Sequence, residues 1–143
     1  MSTFVHRLAA SCRARESLLC VGLDPDPALM AIPDIVEFNK GIVDATKDLV
    51  CAYKPNLAFY EAHGSRGIVA LEETVAYIRS VAPRVVLLAD AKRGDIGSSN
   101  AHYASALFDL WGTAETEAFL DESLVLGISQ ALAQERIVGA SYL

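Results

Sequence analysis

Apolar residues along this chain arrive in two rhythms: short unbroken runs, and longer stretches where they recur every third or fourth position. The short runs are Leu18–Leu23, Val50–Lys54 and Arg84–Ala89. Each is too short for a stable helix and nearly continuous in apolar character, which predicts strands buried on both faces. Between them, Ile35, Phe38, Ile42, Ala45 and Leu49 form one helical stripe, with Pro33 and Asp34 supplying the start. Leu57–His63 reads as a short helix stopped by Gly64, and Ile68, Leu71, Val75 and Ile78 mark a further helix closed by Pro83. Asp24-Pro-Asp-Pro27 forces an extended loop after the first strand, and Pro55 ends the second. A glycine-containing loop, Asp90–Ser98, follows the third strand, and Tyr103, Ala106, Leu107 and Leu110 define a helix ending near Gly112.

The predicted order is a leading helix and then three strand–loop–helix units, the signature of a parallel sheet covered by helices. A doubly wound sheet and a (β/α)8 barrel both satisfy it. Polar residues at successive strand ends favour the barrel: Asp24 after the first strand, Lys54 after the second, Asp90 and Lys92 after the third. Gly22 and Gly41 do not build the glycine-rich loop expected after the first strand of a dinucleotide-binding sheet. Beyond Gly112, Thr113–Glu122 is polar and helix-favouring, Leu124–Ile128 is the one apolar run suited to a strand, and Ser129–Arg136 is again helical. The expectation is an α/β chain: a partial (β/α)8 barrel with strands one to three over residues 1–112, then a divergent, mostly helical tail over 113–143.

Composition narrows the function more than the fold. With 143 residues, 52% of them hydrophobic, the chain holds core material for one domain. A net charge of −6 argues against nucleic acid as partner, since phosphate backbones demand clustered positive charge. The longest apolar run, Val85–Ala89, is far below the roughly 20 residues of a membrane span. Arg7, Arg13 and Arg15 lack the apolar stretch of a secretory leader and belong to a first helix, so a cytoplasmic location is expected. Cys12, Cys20 and Cys51 lack ligand spacing and read as buried small hydrophobes in a reducing compartment. His6, His63 and His102 are scattered, and neither a metal site nor a cofactor is expected.

The chemistry concentrates in Asp90-Ala-Lys-Arg-Gly-Asp-Ile96. If the strand stays extended, Asp90 and Lys92 point to the same side; Lys54 can join them from the neighbouring strand, with Asp95 on the loop beyond. A structural ion-pair network is the plain explanation, although burying charges costs several kcal/mol each unless pairing or function offsets it. An ammonium fixed beside a carboxylate suits a reaction that creates a carbanion and then protonates it. Glu61 and His63 read as loop polarity, and Tyr103 and Trp111 as helix-face packing.

Asp90–Ile96 matches the DxKxxDI signature of the orotidine 5'-phosphate decarboxylase superfamily, which related sugar-phosphate decarboxylases and aldolases share. Val21-Gly-Leu-Asp-Pro-Asp26, Phe38-Asn-Lys40, Ala52-Tyr-Lys-Pro-Asn56 and Phe59-Tyr-Glu-Ala-His-Gly64 resemble the bacterial type of the decarboxylase itself, as far as about Gly112. The resemblance implies metal-free conversion of orotidine 5'-phosphate to UMP and CO2 in pyrimidine biosynthesis. It implies that Asp90 faces the substrate's C6 carboxylate and Lys92 protonates C6. Lys54 would bridge ribose and the charged array, Asp24 would bind the ribose hydroxyls, and Ile96 would line the base. Asp95 would cross a homodimer interface into the partner's site, and Ser99 stands where the family has threonine. The family's later phosphate-gripping loops have no counterpart here, and a full barrel takes about 250 residues. A non-catalytic half barrel is therefore the alternative, with a related sugar-phosphate decarboxylase or aldolase behind it.

Overall fold

The computed structural model describes residues 4–93, 96–110, 115–120 and 140–142. Helix α1 (Phe4–Arg15) leads into β1 (Cys20–Leu23), α2 (Ile35–Thr46), β2 (Ala52–Pro55), α3 (Leu57–Glu61), α4 (Gly64–Val81), β3 (Val86–Asp90) and α5 (Gly97–Ala104). A π-helical segment, Ser105–Leu110, continues α5, and β4 (Glu115–Leu120) and β5 (Ala140–Tyr142) follow. The strands form one sheet in sequence order, β1-β2-β3-β4-β5. Every pair is parallel, with Cys20 opposite Ala52, Ala52 opposite Val86, Leu88 opposite Glu115 and Ala118 opposite Ala140. A doubly wound sheet reverses its strand order at a switch point. These strands do not reverse, which is barrel winding. No helix among the described residues is long and apolar enough to cross a membrane.

The three apolar runs become β1, β2 and β3, with β2 and β3 buried on both faces as expected and β1 buried only at Leu23, but the helix expected over Thr113–Glu122 is overturned by β4. Glu and Ala favour helix over strand by only a few tenths of a kcal/mol each. The far edge of β3 offers a ladder whose hydrogen bonds contribute about 0.5–1.5 kcal/mol apiece, enough to override that preference. Trp111, Leu124–Ile128 and Ser129–Arg136 lie outside the described residues.

The core gathers Leu23, Tyr53, Leu71, Ile78 and Leu87 between the sheet and helices α2 to α4, each nearly inaccessible to solvent. In α4 the predicted stripe holds, with Leu71, Val75 and Ile78 buried. In α2 it is turned by about one residue: Asn39 and Val43 are buried, while Ala45 and Leu49 are exposed. The start chemistry is as read, with Asp34 Oδ1 accepting from the Glu37 amide at 2.9 Å. Of the cysteines, Cys51 is buried, Cys12 half-buried, and Cys20 exposed at the start of terminal strand β1, so burial holds for one of the three. Desolvation, reinforced by Cys12, pushes the Cys51 thiol up to about 11, which makes it a poor nucleophile.

What turns α2 is a polar network. The Asn39 amide nitrogen donates to Tyr60 Oη at 3.0 Å and to Thr74 Oγ1 at 3.1 Å. Tyr60 Oη donates in turn to the Leu23 carbonyl at 3.2 Å, and Thr74 Oγ1 to the Ala70 carbonyl at 2.7 Å. Burial pushes the Tyr60 phenol well above its ordinary pKa, so it stays a neutral donor. This network ties α2, α3 and α4 to the carboxyl end of β1. Tyr60→Phe should leave Asn39 and the Leu23 carbonyl short of partners and cost about 1–3 kcal/mol. An unchanged urea midpoint would refute that role.

Candidate active site

Two adjacent strand ends build the charged cluster. Asp90 is the last residue of β3, and its backbone bridges to Asn56, just past the end of β2. Asn56 also caps α3, its side chain accepting from the Ala58 amide at 3.2 Å, so helix start and strand end are held at one point. Lys54, within β2, donates from Nζ to Asp90 Oδ2 at 2.8 Å, and Lys92 Nζ donates to Asp90 Oδ1. Each carboxylate oxygen therefore carries its own ammonium. The Asp90 side chain is 5% exposed and that of Lys92 44%, so the carboxylate is the floor of the cluster and the Lys92 amine its open side. Burial alone would raise the Asp90 pKa. The hydrogen bonds from Lys54 and Lys92 outweigh it and hold the carboxyl below its ordinary range.

Lys92 reaches Asp90 by a different route from the one expected. The strand stops at Asp90, and Lys92 has φ +47°, in the left-handed region that L residues avoid. The two side chains meet because the backbone turns, not because it stays extended.

The other expected site residues are less tightly held. Asp24 follows β1 and is exposed; Gly22, two residues earlier, is the register partner of Lys54. A Cβ at Gly22 would stand 3.6 Å from Asp24 Oδ1, so the carboxylate folds back over its own strand. Ile96 occupies the N-cap position of α5 with its side chain 62% exposed, and its carbonyl accepts from the Asn100 amide at 3.0 Å. Ser99 is half-buried in the first turn of α5. Asp95 lies outside the described residues.

Arg93 was not singled out from sequence, yet it anchors this loop. It pairs with Glu61 of α3, donates to the Ala91 carbonyl at 3.0 Å, and lies 5.7 Å from the centre of the Tyr103 ring on α5. Glu61 and Tyr103, expected from sequence to be loop polarity and helix-face packing, are thus partners of Arg93. The only hint was Arg93's place inside the charged motif.

Lys54→Ala should expose how Asp90 is held. Stripping one ammonium from a buried carboxylate costs about 2–3 kcal/mol near neutral pH, less than full isolation because Lys92 remains. A depressed folded-state pKa gives stability that is present above the unfolded value of about 3.9 and lost as pH falls through the folded one. The gap between wild type and variant should thus be constant above about pH 5 and close below about pH 4. Urea midpoints measured from pH 7 to pH 3 check this, and a gap independent of pH would refute it.

The family model for the orotidine 5'-phosphate decarboxylase / HUMPS family matches residues 17–137. The chain belongs to that family. The match continues past Gly112, where the motif resemblance thins. The orotidine 5'-phosphate decarboxylase of Herpetosiphon aurantiacus is 51% identical over 117 residues, covering 76% of this chain and 42% of that protein. Its counterpart from Parabacteroides distasonis is 48% identical over 112 residues, covering 73% and 39%. Among solved structures, a candidate orotidine-monophosphate decarboxylase from Toxoplasma gondii superposes with TM-score 0.83 at 35% identity, over 98% of this chain and 48% of that one. The fold is thus a partial decarboxylase barrel. The chain spans about two-fifths of the length of these curated relatives.

Proposed function

We propose that this chain carries the decarboxylating array of an orotidine 5'-phosphate decarboxylase, releasing CO2 from orotidine 5'-phosphate to give UMP in pyrimidine biosynthesis. The observation that supports this best is Asp90, buried at a strand end with an ammonium on each oxygen. In this reading Asp90 faces the substrate carboxylate. The bond from C6 to the carboxylate breaks, the electron pair stays on C6, and the Lys92 ammonium delivers the proton that replaces CO2. The lysine then regains its proton from solvent. Lys54 holds Asp90 ionised and reaches toward the ribose, Asp24 takes the ribose hydroxyls, Ile96 covers the base, and Ser99 offers a hydroxyl beside it. Asp95 would complete the site of a second copy across a homodimer interface, and the enzyme would work in the cytoplasm.

Binding energy from the remote phosphate is what such a reaction draws on. The test is turnover of orotidine 5'-phosphate by the purified 143-residue chain, followed at the orotate chromophore. Turnover abolished by Lys92→Ala supports the reading. A folded chain with neither turnover nor UMP binding overturns it in favour of a non-catalytic half barrel.

A further inference from the structure

At the amino ends of the strands, away from the Asp90 array, the fold brings two thiols together. Cys51 stands just before β2, and Cys12 lies on α1. The face of α1 that meets the sheet closes on Cys51. Leu8 and Cys12 pack against the cluster of Cys51, Ala52 and Val86, and Ser11 Oγ donates to the Cys51 carbonyl at 2.7 Å. Cys12 is also, after burial, the largest influence raising the Cys51 thiol, which puts the two side chains beside each other. Both are free thiols. The helix that carries Cys12 is lightly seated: among its described side chains only Ser11 is fully buried, and its ion pair from Arg15 to Asp48 is long, at 3.4 Å. Such an element opens more readily than the core beneath it.

We infer that Cys12 and Cys51 are a redox pair, which a peroxide joins in a disulfide that locks α1 onto the amino end of β2. Cys12 is half-buried and Cys51 buried, so a small oxidant reaches Cys12 first. One peroxide oxygen passes to the Cys12 sulfur, making a sulfenic acid, and the other leaves as water. The Cys51 sulfur then attacks the Cys12 sulfur, the S–OH bond breaks, and the departing hydroxide takes the Cys51 proton as a second water. The two sulfurs lose two electrons and the peroxide gains them. Burial keeps the Cys51 thiolate scarce, and side-by-side placement offsets this by raising its effective concentration. The bond leaves no buried acceptor stranded: the Leu19 carbonyl loses the Cys51 thiol at 3.3 Å and keeps the Cys51 amide at 2.9 Å. A thiol reductant reverses the step by exchange. Cys20, exposed at the start of β1, is the competitor more open to solvent, and the inference requires that it stay out of the bond.

The 143-residue chain, treated with hydrogen peroxide, quenched and alkylated, supplies the test. Trypsin leaves the three cysteines on three peptides, Leu8–Arg13, Glu16–Lys40 and Asp48–Arg66, so mass spectrometry without reduction reads the pairing directly. The expected product joins Leu8–Arg13 to Asp48–Arg66, is released by dithiothreitol, and forms in Cys20→Ser as in wild type. Brief trypsin treatment of the native chain gives a second readout. Cleavage after Arg13 and Arg15 should slow about tenfold or more on oxidation and recover on reduction. Cys12→Ser, a small change at a half-buried helix position, should fold and show no such slowing. Peroxide treatment in urea is the control for chance pairing. Absence of the linked peptide, linkage chiefly through Cys20, a yield no higher than in urea, or unchanged cleavage of α1 would each overturn the inference.

Discussion

Gly67→Ala should cost this chain about 3 kcal/mol or more, a large share of the roughly 5–15 kcal/mol that holds a domain folded. A Cβ at this position would stand 1.8 Å from the Tyr60 carbonyl oxygen, 2.7 Å from the Tyr60 carbonyl carbon and 2.9 Å from His63 Cβ. Two of those three atoms are backbone, so no rotamer change relieves the overlap, and α3 must move away from α4. It is not free to do so. Tyr60 Oη accepts from the Asn39 amide nitrogen and donates to the Leu23 carbonyl, and displacing it breaks that network as well. Gly41→Ala is the matched control: it lies inside α2 with nothing within 4 Å of the added Cβ, and should gain about 0.5–1 kcal/mol through helix propensity. Urea unfolding followed by circular dichroism separates the two. A Gly67→Ala chain as stable as wild type would refute the close approach of α3 and α4.

The contrast between those glycines shows which parts of this molecule could be read from sequence. Strands β2 and β3 were legible because a strand buried on both faces needs an unbroken apolar run, and β1 was legible from the same kind of run although only its Leu23 is buried. The stripe of α4 was legible because Leu71, Val75 and Ile78 are apolar and buried alike. The stripe of α2 misled because one of its two buried positions is Asn39, whose burial depends on Tyr60 and Thr74 from elements much later in the chain. Strand β4 was hidden for a related reason, since its partner edge on β3 is a property of the assembled sheet. The charged array was legible as a set of residues, because Lys54, Asp90 and Lys92 fall at strand ends. Its geometry was not. Neither the left-handed backbone at Lys92 nor the anchoring of Arg93 by Glu61 and Tyr103 leaves a trace in local composition.

That left-handed residue yields the other large effect. Lys92→Gly and Lys92→Ala both delete the proposed proton donor, and each should lower decarboxylation by about 10²–10⁴-fold, the usual contribution of a positioned acid. Their stabilities should differ. A residue with a Cβ at φ +47° carries about 1–2 kcal/mol of strain. Glycine removes that strain at an entropic cost of roughly 0.5–1 kcal/mol, whereas alanine retains it. The glycine variant should therefore be the more stable of the pair by up to about 1 kcal/mol, although both lose the same ion pair to Asp90. Such strain persists only where surrounding contacts enforce it, and it is characteristic of functional sites. Here the enforcing contacts are the Asp90 carboxylate before Lys92 and the Arg93 anchor after it. Turnover at the orotate chromophore and urea midpoints on the same preparations test both halves. Retained turnover in either variant would remove Lys92 from the chemistry, and a less stable glycine variant would show that the turn at Lys92 is not strained.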